Sequence, residues 1–173
     1  MTDDLKWMNG LCSPQLHDYL EHPFSFEGHA VATNRHAMLF IKDAGAALPV
    51  ADTRAAHVIR KHYYSSLNWA IPVPSKKQSF AAFRKWLGKD IPATAFKYDP
   101  AIVFGVLVDR DLVRQYIEHL SGKQFSVQAV EAGGYKKEML VMEGDGWRLL
   151  VMGCHPSQKK YPHYPEAARR KRK

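Results

Sequence analysis

Cysteine is scarce: the 173-residue chain has two, Cys12 and Cys154, and its acids number 17 against 25 lysines and arginines. Two cysteines so far apart make no disulfide framework and point to reduced thiols, as in a cytoplasm. No apolar stretch approaches the roughly 20 residues that a membrane-spanning helix needs. The opening residues, Met1-Thr2-Asp3-Asp4, are acidic and no apolar segment follows, so no secretory leader is expected. A nucleophile elbow, a phosphate-cradling glycine loop and a dinucleotide fingerprint are also missing. Carboxylates do not gather: Glu131, Glu138, Glu143 and Asp145 are spread along predicted strands and turns. These absences leave catalysis without a centre, and no cofactor is called for. What is there is ordinary for one globular domain, with 46% hydrophobic and 24% charged residues.

The formal charge of +8 is unevenly placed. Residues 159–173 carry Lys159, Lys160, Arg169, Arg170, Lys171, Arg172 and Lys173 against Glu166 alone, a net of +6, which leaves +2 for residues 1–158. A tail of this composition has no apolar face to bury and is expected to be disordered. It would attract phosphate backbones by counterion release, without sequence preference. The expectation is therefore one domain over residues 1–158, followed by a basic tail.

Along the chain, two patterned ends enclose a less regular middle. Residues 102–108 form an apolar, β-branched run that predicts a buried strand. Asp109 follows as an N-cap, and Leu112, Val113, Tyr116, Ile117 and Leu120 fall on one helical face. Gly122 is placed to end that helix. Phe125, Val127 and Ala129 alternate with Ser126 and Gln128 as a strand, and Gly133-Gly134 make a turn. Residues 137–143 and 147–153 flank the tight turn Gly144-Asp145-Gly146. The N-terminal end reads as a rougher copy. Leu5, Met8 and Leu11 predict a short helix, and residues 24–26, 29–32 and 37–42 predict three strands. Between the ends, residues 43–101 contain Pro49, Pro72, Pro74, Pro92 and Pro100, with helical pieces expected only at residues 53–62 and 79–87.

Two helix-plus-three-strand units in one chain resemble the domain of the DNA sliding clamps, the bacterial polymerase processivity factors. Val106-Leu107-Val108-Asp109-Arg110-Asp111-Leu112 is similar to the strand and helix opening the second half of such a clamp's last domain. Trp147-Arg148-Leu149-Leu150-Val151-Met152-Gly153-Cys154-His155-Pro156 is similar to its closing strand, although Gly153 and Cys154 break the usual methionine-proline ending. In the first half, Val31-Ala32-Thr33-Asn34-Arg35-His36-Ala37-Met38-Leu39 resembles the alanine-threonine-aspartate-glycine-histidine-arginine-leucine signature. Thr33 and His36 match, while Asn34, Arg35 and Ala37 replace aspartate, glycine and arginine. The resemblance covers about two-thirds of the chain.

The resemblance implies an α+β, DNA-clamp-like domain with two halves around an irregular insertion at residues 43–101. It also implies a non-catalytic protein that associates with DNA, self-associates and serves a polymerase or another replication protein. Since bacterial rings hold six such domains, a ring would need six copies of this chain or a different arrangement. The phosphate contacts expected of the body are Lys76, Lys77, Arg84, Lys85, Arg110, Arg114 and Lys123, all beside predicted helices or turns. The tail adds Arg169, Arg170, Lys171, Arg172 and Lys173. The exposed face of the clearest helix, with Asp111, Arg114, Gln115, Glu118 and His119, is close to neutral, which is poor for a channel lining.

Two further readings stand beside this one. In the first, the fold binds proteins without forming a ring, and only the tail touches nucleic acid. In the second, the nine histidines supply a metallonuclease. Against the latter, His22, His29 and His36 lie on a predicted hairpin, His57 and His62 are five apart, and Cys154-His155 lacks a second cysteine. Tyr63, Tyr64, Trp69, Phe80, Phe83 and Trp86 stand near Arg60, Lys61, Lys76, Lys77, Arg84 and Lys85, a mixture that suits single strands. The plainer reading is that these rings fill the core while the cations are solvated.

Overall fold

Periodicity at the N-terminus becomes α1 (Asp3–Leu11), which turns Trp7, Met8 and Leu11 inward. Leu5 is only half-buried, so Trp7 takes the core position expected of it. The structure, a computed structural model, describes residues 3–13, 20–34, 36–62, 77–79, 81, 83, 100–103, 106–132 and 137–153. The tail expected at residues 159–173 and the turn at Gly133-Gly134 lie outside them. After α1 come β1 (Phe24–Phe26), β2 (His29–Thr33) and β3 (Ala37–Ile41), then α2 (Thr53–His62) and β4 (Lys77–Ser79). The second end supplies β5 (Pro100–Val103), β6 (Val106–Asp109), α3 (Arg110–Ile117), β7 (Gln124–Ala132), β8 (Lys137–Gly144) and β9 (Trp147–Met152). The class is α+β.

Local chemistry accounts for most boundaries. Asp109 caps α3, its carboxylate accepting the amides of Asp111 at 3.1 Å and Leu112 at 3.4 Å. A single 3-10 turn, Glu118–Leu120, extends the helix, and Gly122 then takes φ +74°. Asp52 caps α2 through the Ala55 amide at 2.7 Å. Two expectations are corrected. The apolar run at residues 102–108 is not one strand: β5 and β6 pair antiparallel as a separate two-stranded sheet, Pro100 opposite Asp109 and Val103 opposite Val106. Residues 79–87 do not all belong to a helix, because Ser79 ends β4 against β7; Ala81 and Phe83 are helical, and the rest of that stretch lies outside the described residues.

The main sheet has the order β1-β2-β3-β9-β8-β7-β4, antiparallel throughout. Leaving aside β4, this order is a palindrome. The series α1-β1-β2-β3 and the series α3-β7-β8-β9 are joined at β3 and β9, where Ala37 faces Val151, Leu39 faces Leu149 and Ile41 faces Trp147. All five residues of β3 are buried, as expected of a strand covered on both faces. Alternation assigns Ala37, Leu39, Ile41, Leu149 and Val151 to one face, where they form a single core with Trp7, Met8 and Leu11 of α1 and Val113, Tyr116 and Ile117 of α3. Val103, Val106 and Val108 of the small sheet close the same layer. The opposite face sets Met38, Phe40, Met139, Val141 and Leu150 against Ala55 and Ile59 of α2. The protein is therefore a sheet with α1 and α3 on one side and α2 on the other.

Two contacts tie the halves beyond the sheet. The Trp7 indole N–H donates to the Tyr116 carbonyl at 2.7 Å, and the Asn34 side-chain amide donates to the Tyr116 hydroxyl at 2.9 Å. The Asn34 oxygen meanwhile accepts the amides of His36 at 3.0 Å and Ala37 at 2.9 Å, fixing the β2–β3 turn. Asparagine, unlike aspartate, carries both the acceptor and the donor that this arrangement uses.

Candidate functional site

Of the cations singled out in the sequence, Lys77, Arg110, Arg114 and Lys123 lie among the described residues. Arg110, the first residue of α3, is 7% exposed and belongs to the interior. Little of it is open to a nucleic-acid backbone. Arg114 is exposed one turn later and pairs with Asp111 at 3.5 Å, which offsets its charge. Lys123 is exposed in the turn before β7, and Lys77 opens β4, whose Ser79 pairs with Gln124, so both stand along one edge of the sheet. Lys76, Arg84, Lys85, Arg169, Arg170, Lys171, Arg172 and Lys173 lie outside the described residues.

The α1–α3 layer is the face that a clamp would turn toward duplex DNA. Its exposed charges on the two helices and their 3-10 extension are Asp3, Asp4, Asp111 and Glu118 against Lys6 and Arg114. Four acids against two cations repel a phosphate backbone over the reach of about 8–10 Å that physiological salt allows. The opposite side differs. The ten residues of α2 include Arg54, Arg60 and Lys61, with His57 and His62, and no acid. Arg60 lies over the Phe26 ring at 5.4 Å and pairs with Glu27 at 3.5 Å, so its direction is set from below and from the side. A groove of about 690 Å³ runs beside this helix, lined by Ala51, Thr53, Ala56, His57 and Arg60. Val50, 84% exposed, stands at the adjoining position of the chain. The sequence signal for this site is the absence of acids from residues 53–62, a quieter mark than the basic tail.

Other reactive groups have structural duties. Burial pushes the Cys12 thiol up to about 11, only partly opposed by a hydrogen bond with the Thr33 backbone, so it stays protonated at neutral pH and is a poor nucleophile. The His29 Nδ1 accepts the Asp43 amide at 2.9 Å, and its ring rests on Phe40 at 5.0 Å. Trp7 stacks on His119 at 5.9 Å and meets the edge of Trp147 at 5.3 Å. Phe83 packs against Phe125 at 5.6 Å and is fully buried, a core ring and not a stacking platform for bases. Arg148 is buried on the α2 side of β9 and is ion-paired with Glu143 of β8. Among the described residues, no three of histidine, cysteine, aspartate and glutamate stand together as a metal site, and no helix is long and apolar enough to cross a membrane.

No family model, curated protein or solved structure matches the chain.

Proposed function

We propose that the chain is a non-catalytic, DNA-associated accessory protein of clamp-like architecture, of the replication or processivity type, working in a cytoplasm. The observation that carries this reading is the palindromic sheet. A helix and three strands are repeated, the repeats meet at β3 and β9, and their helices share one face. Such an internal twofold belongs to the architecture that the clamp-like motifs imply. Self-association is part of the reading, because a single domain cannot encircle a duplex. A polymerase or another replication protein is the partner, and the basic tail adds attraction to any nucleic acid.

Sedimentation of the purified chain at low salt, with and without a short duplex, tests this directly. An assembly larger than one chain, and salt-sensitive retention of the duplex that survives deletion of residues 159–173 through body cations off the α1–α3 helices, such as Lys77 and Lys123, are the expected results. A chain that stays monomeric and does not hold the duplex refutes the reading.

A second reading is favoured by the acids of the α1–α3 layer: an adaptor that keeps the fold, forms no ring and binds proteins, its tail being the contact with nucleic acid. Under this reading the duplex binds the full chain, and deleting residues 159–173 abolishes binding.

A further inference from the structure

The groove beside α2 belongs to neither repeated half, and its chemistry is specific enough to choose an occupant. Thr53, Ala56, His57 and Arg60 recur at positions i, i+3, i+4 and i+7, so they form one stripe along the helix and one wall of the groove. Ala51 and Ala56 give it a small apolar lining, and the exposed Val50 extends that character along the chain. Arg60, held by Phe26 and Glu27, keeps a side chain that is 62% exposed. The helix itself carries no acid; the carboxylates nearby are its cap Asp52, which accepts the Ala55 amide, and Glu27, which pairs with Arg60. No aromatic ring lines the groove among the described residues.

We propose that this groove docks an acidic peptide segment of a partner protein, seating one aliphatic side chain against Ala51 and Ala56 with carboxylates beside His57 and Arg60. Ala51 and Ala56 supply the anchor, and the net positive charge of α2, from Arg54, Lys61 and an Arg60 that Glu27 partly offsets, supplies selectivity and steering. This site lies on the opposite side of the sheet from α1 and α3.

The test uses the full chain and a fluorescein-labelled synthetic peptide of aspartates and glutamates around a central leucine, followed by fluorescence anisotropy. Saturable binding is expected, weakened about tenfold or more by Arg60→Glu, weakened also by the groove-filling Ala56→Trp, and unchanged by Lys6→Glu on the other face. Circular dichroism confirms that each variant is folded, and Arg60→Glu, at an exposed position, keeps the test decisive if Ala56→Trp is not. Equal affinity of the wild type and Arg60→Glu overturns the proposal and assigns the binding to the basic tail. Absence of saturable binding overturns it too. Displacement of the peptide by an unlabelled single-stranded oligonucleotide, lost together with peptide binding in Arg60→Glu, overturns it in favour of nucleic acid.

Discussion

Replacing Trp7 by phenylalanine probes the seam between the two halves. Trp7 is 2% exposed, donates its indole N–H to the Tyr116 carbonyl at 2.7 Å and meets Trp147 edge-on. Phenylalanine keeps an aromatic ring but deprives that carbonyl of this donor, a loss of about 1–3 kcal/mol for a buried group. The smaller ring also leaves a void, adding about 1 kcal/mol. The sum is about 2–4 kcal/mol. For a chain of this length, that converts to a fall in Tm of roughly 4–16 °C. Thermal unfolding followed by circular dichroism reads this directly, with urea unfolding as a second measure. His119→Ala is the comparison, since it removes the exposed partner of the same indole and is expected to shift stability by less than about 1 kcal/mol. If Trp7→Phe changes stability no more than His119→Ala, then α1 is not locked onto α3 by this bond.

In a double-mutant cycle, Asn34→Ala and Tyr116→Phe should couple by about 0.5–1.5 kcal/mol, because each removes one end of the same hydrogen bond; additive effects in urea unfolding would contradict this. Gly45→Ala should destabilise by about 1–3 kcal/mol, since its Cβ would sit 2.6 Å from the His29 carbonyl and 2.8 Å from that of Gly28, both backbone atoms; an unchanged urea midpoint would show that residues 45–51, whose backbone bonds to Gly28 and Ser25, are loosely held. Glu143→Gln should weaken the fold by about 3 kcal/mol or somewhat less, as Arg148 is buried while Glu143 is partly open to solvent; a neutral effect on Tm would mean that the pair carries little. The folded Cys12 thiol, raised to about 11, should resist alkylation at neutral pH until the protein unfolds. Because that value lies above the unfolded one near 9.0, the associated stability is complete below pH 9 and is lost as pH rises toward 11; fast labelling of native Cys12 followed by mass spectrometry would contradict its burial.

Much of this architecture is legible from local patterns, and the illegible parts share a cause. The 3.6-residue spacing in α3, its Asp109 cap and its Gly122 terminator are short-range signals, and each is realised. So is the Gly144-Asp145-Gly146 turn joining β8 and β9. The division of residues 102–108 into β5 and β6 is hidden because both pieces are apolar and no polar residue interrupts them; Gly105 is the one residue there with a turn's character. β4, with the sequence Lys77-Gln78-Ser79, has no apolar alternation at all and owes its place to pairing with β7. Arg110 follows a cap and reads as solvent-facing, yet its position on the helix circumference points inward. For the candidate site, the conspicuous tail drew attention that the acid-free α2 does not command. Neither the acidity of the α1–α3 layer nor the groove at Ala56 exists until distant elements are assembled.

The junction of β3 with β9 holds the central claim, because without it there are two unrelated ends and no internal twofold. Nuclear Overhauser contacts on isotopically labelled protein report that junction. Cross-strand Hα–Hα or amide contacts are expected in the register Ala37 to Val151, Leu39 to Leu149 and Ile41 to Trp147. Contacts placing β3 beside any strand other than β2 and β9, or a register shifted by one residue so that Leu39 and Leu149 change faces, would contradict it.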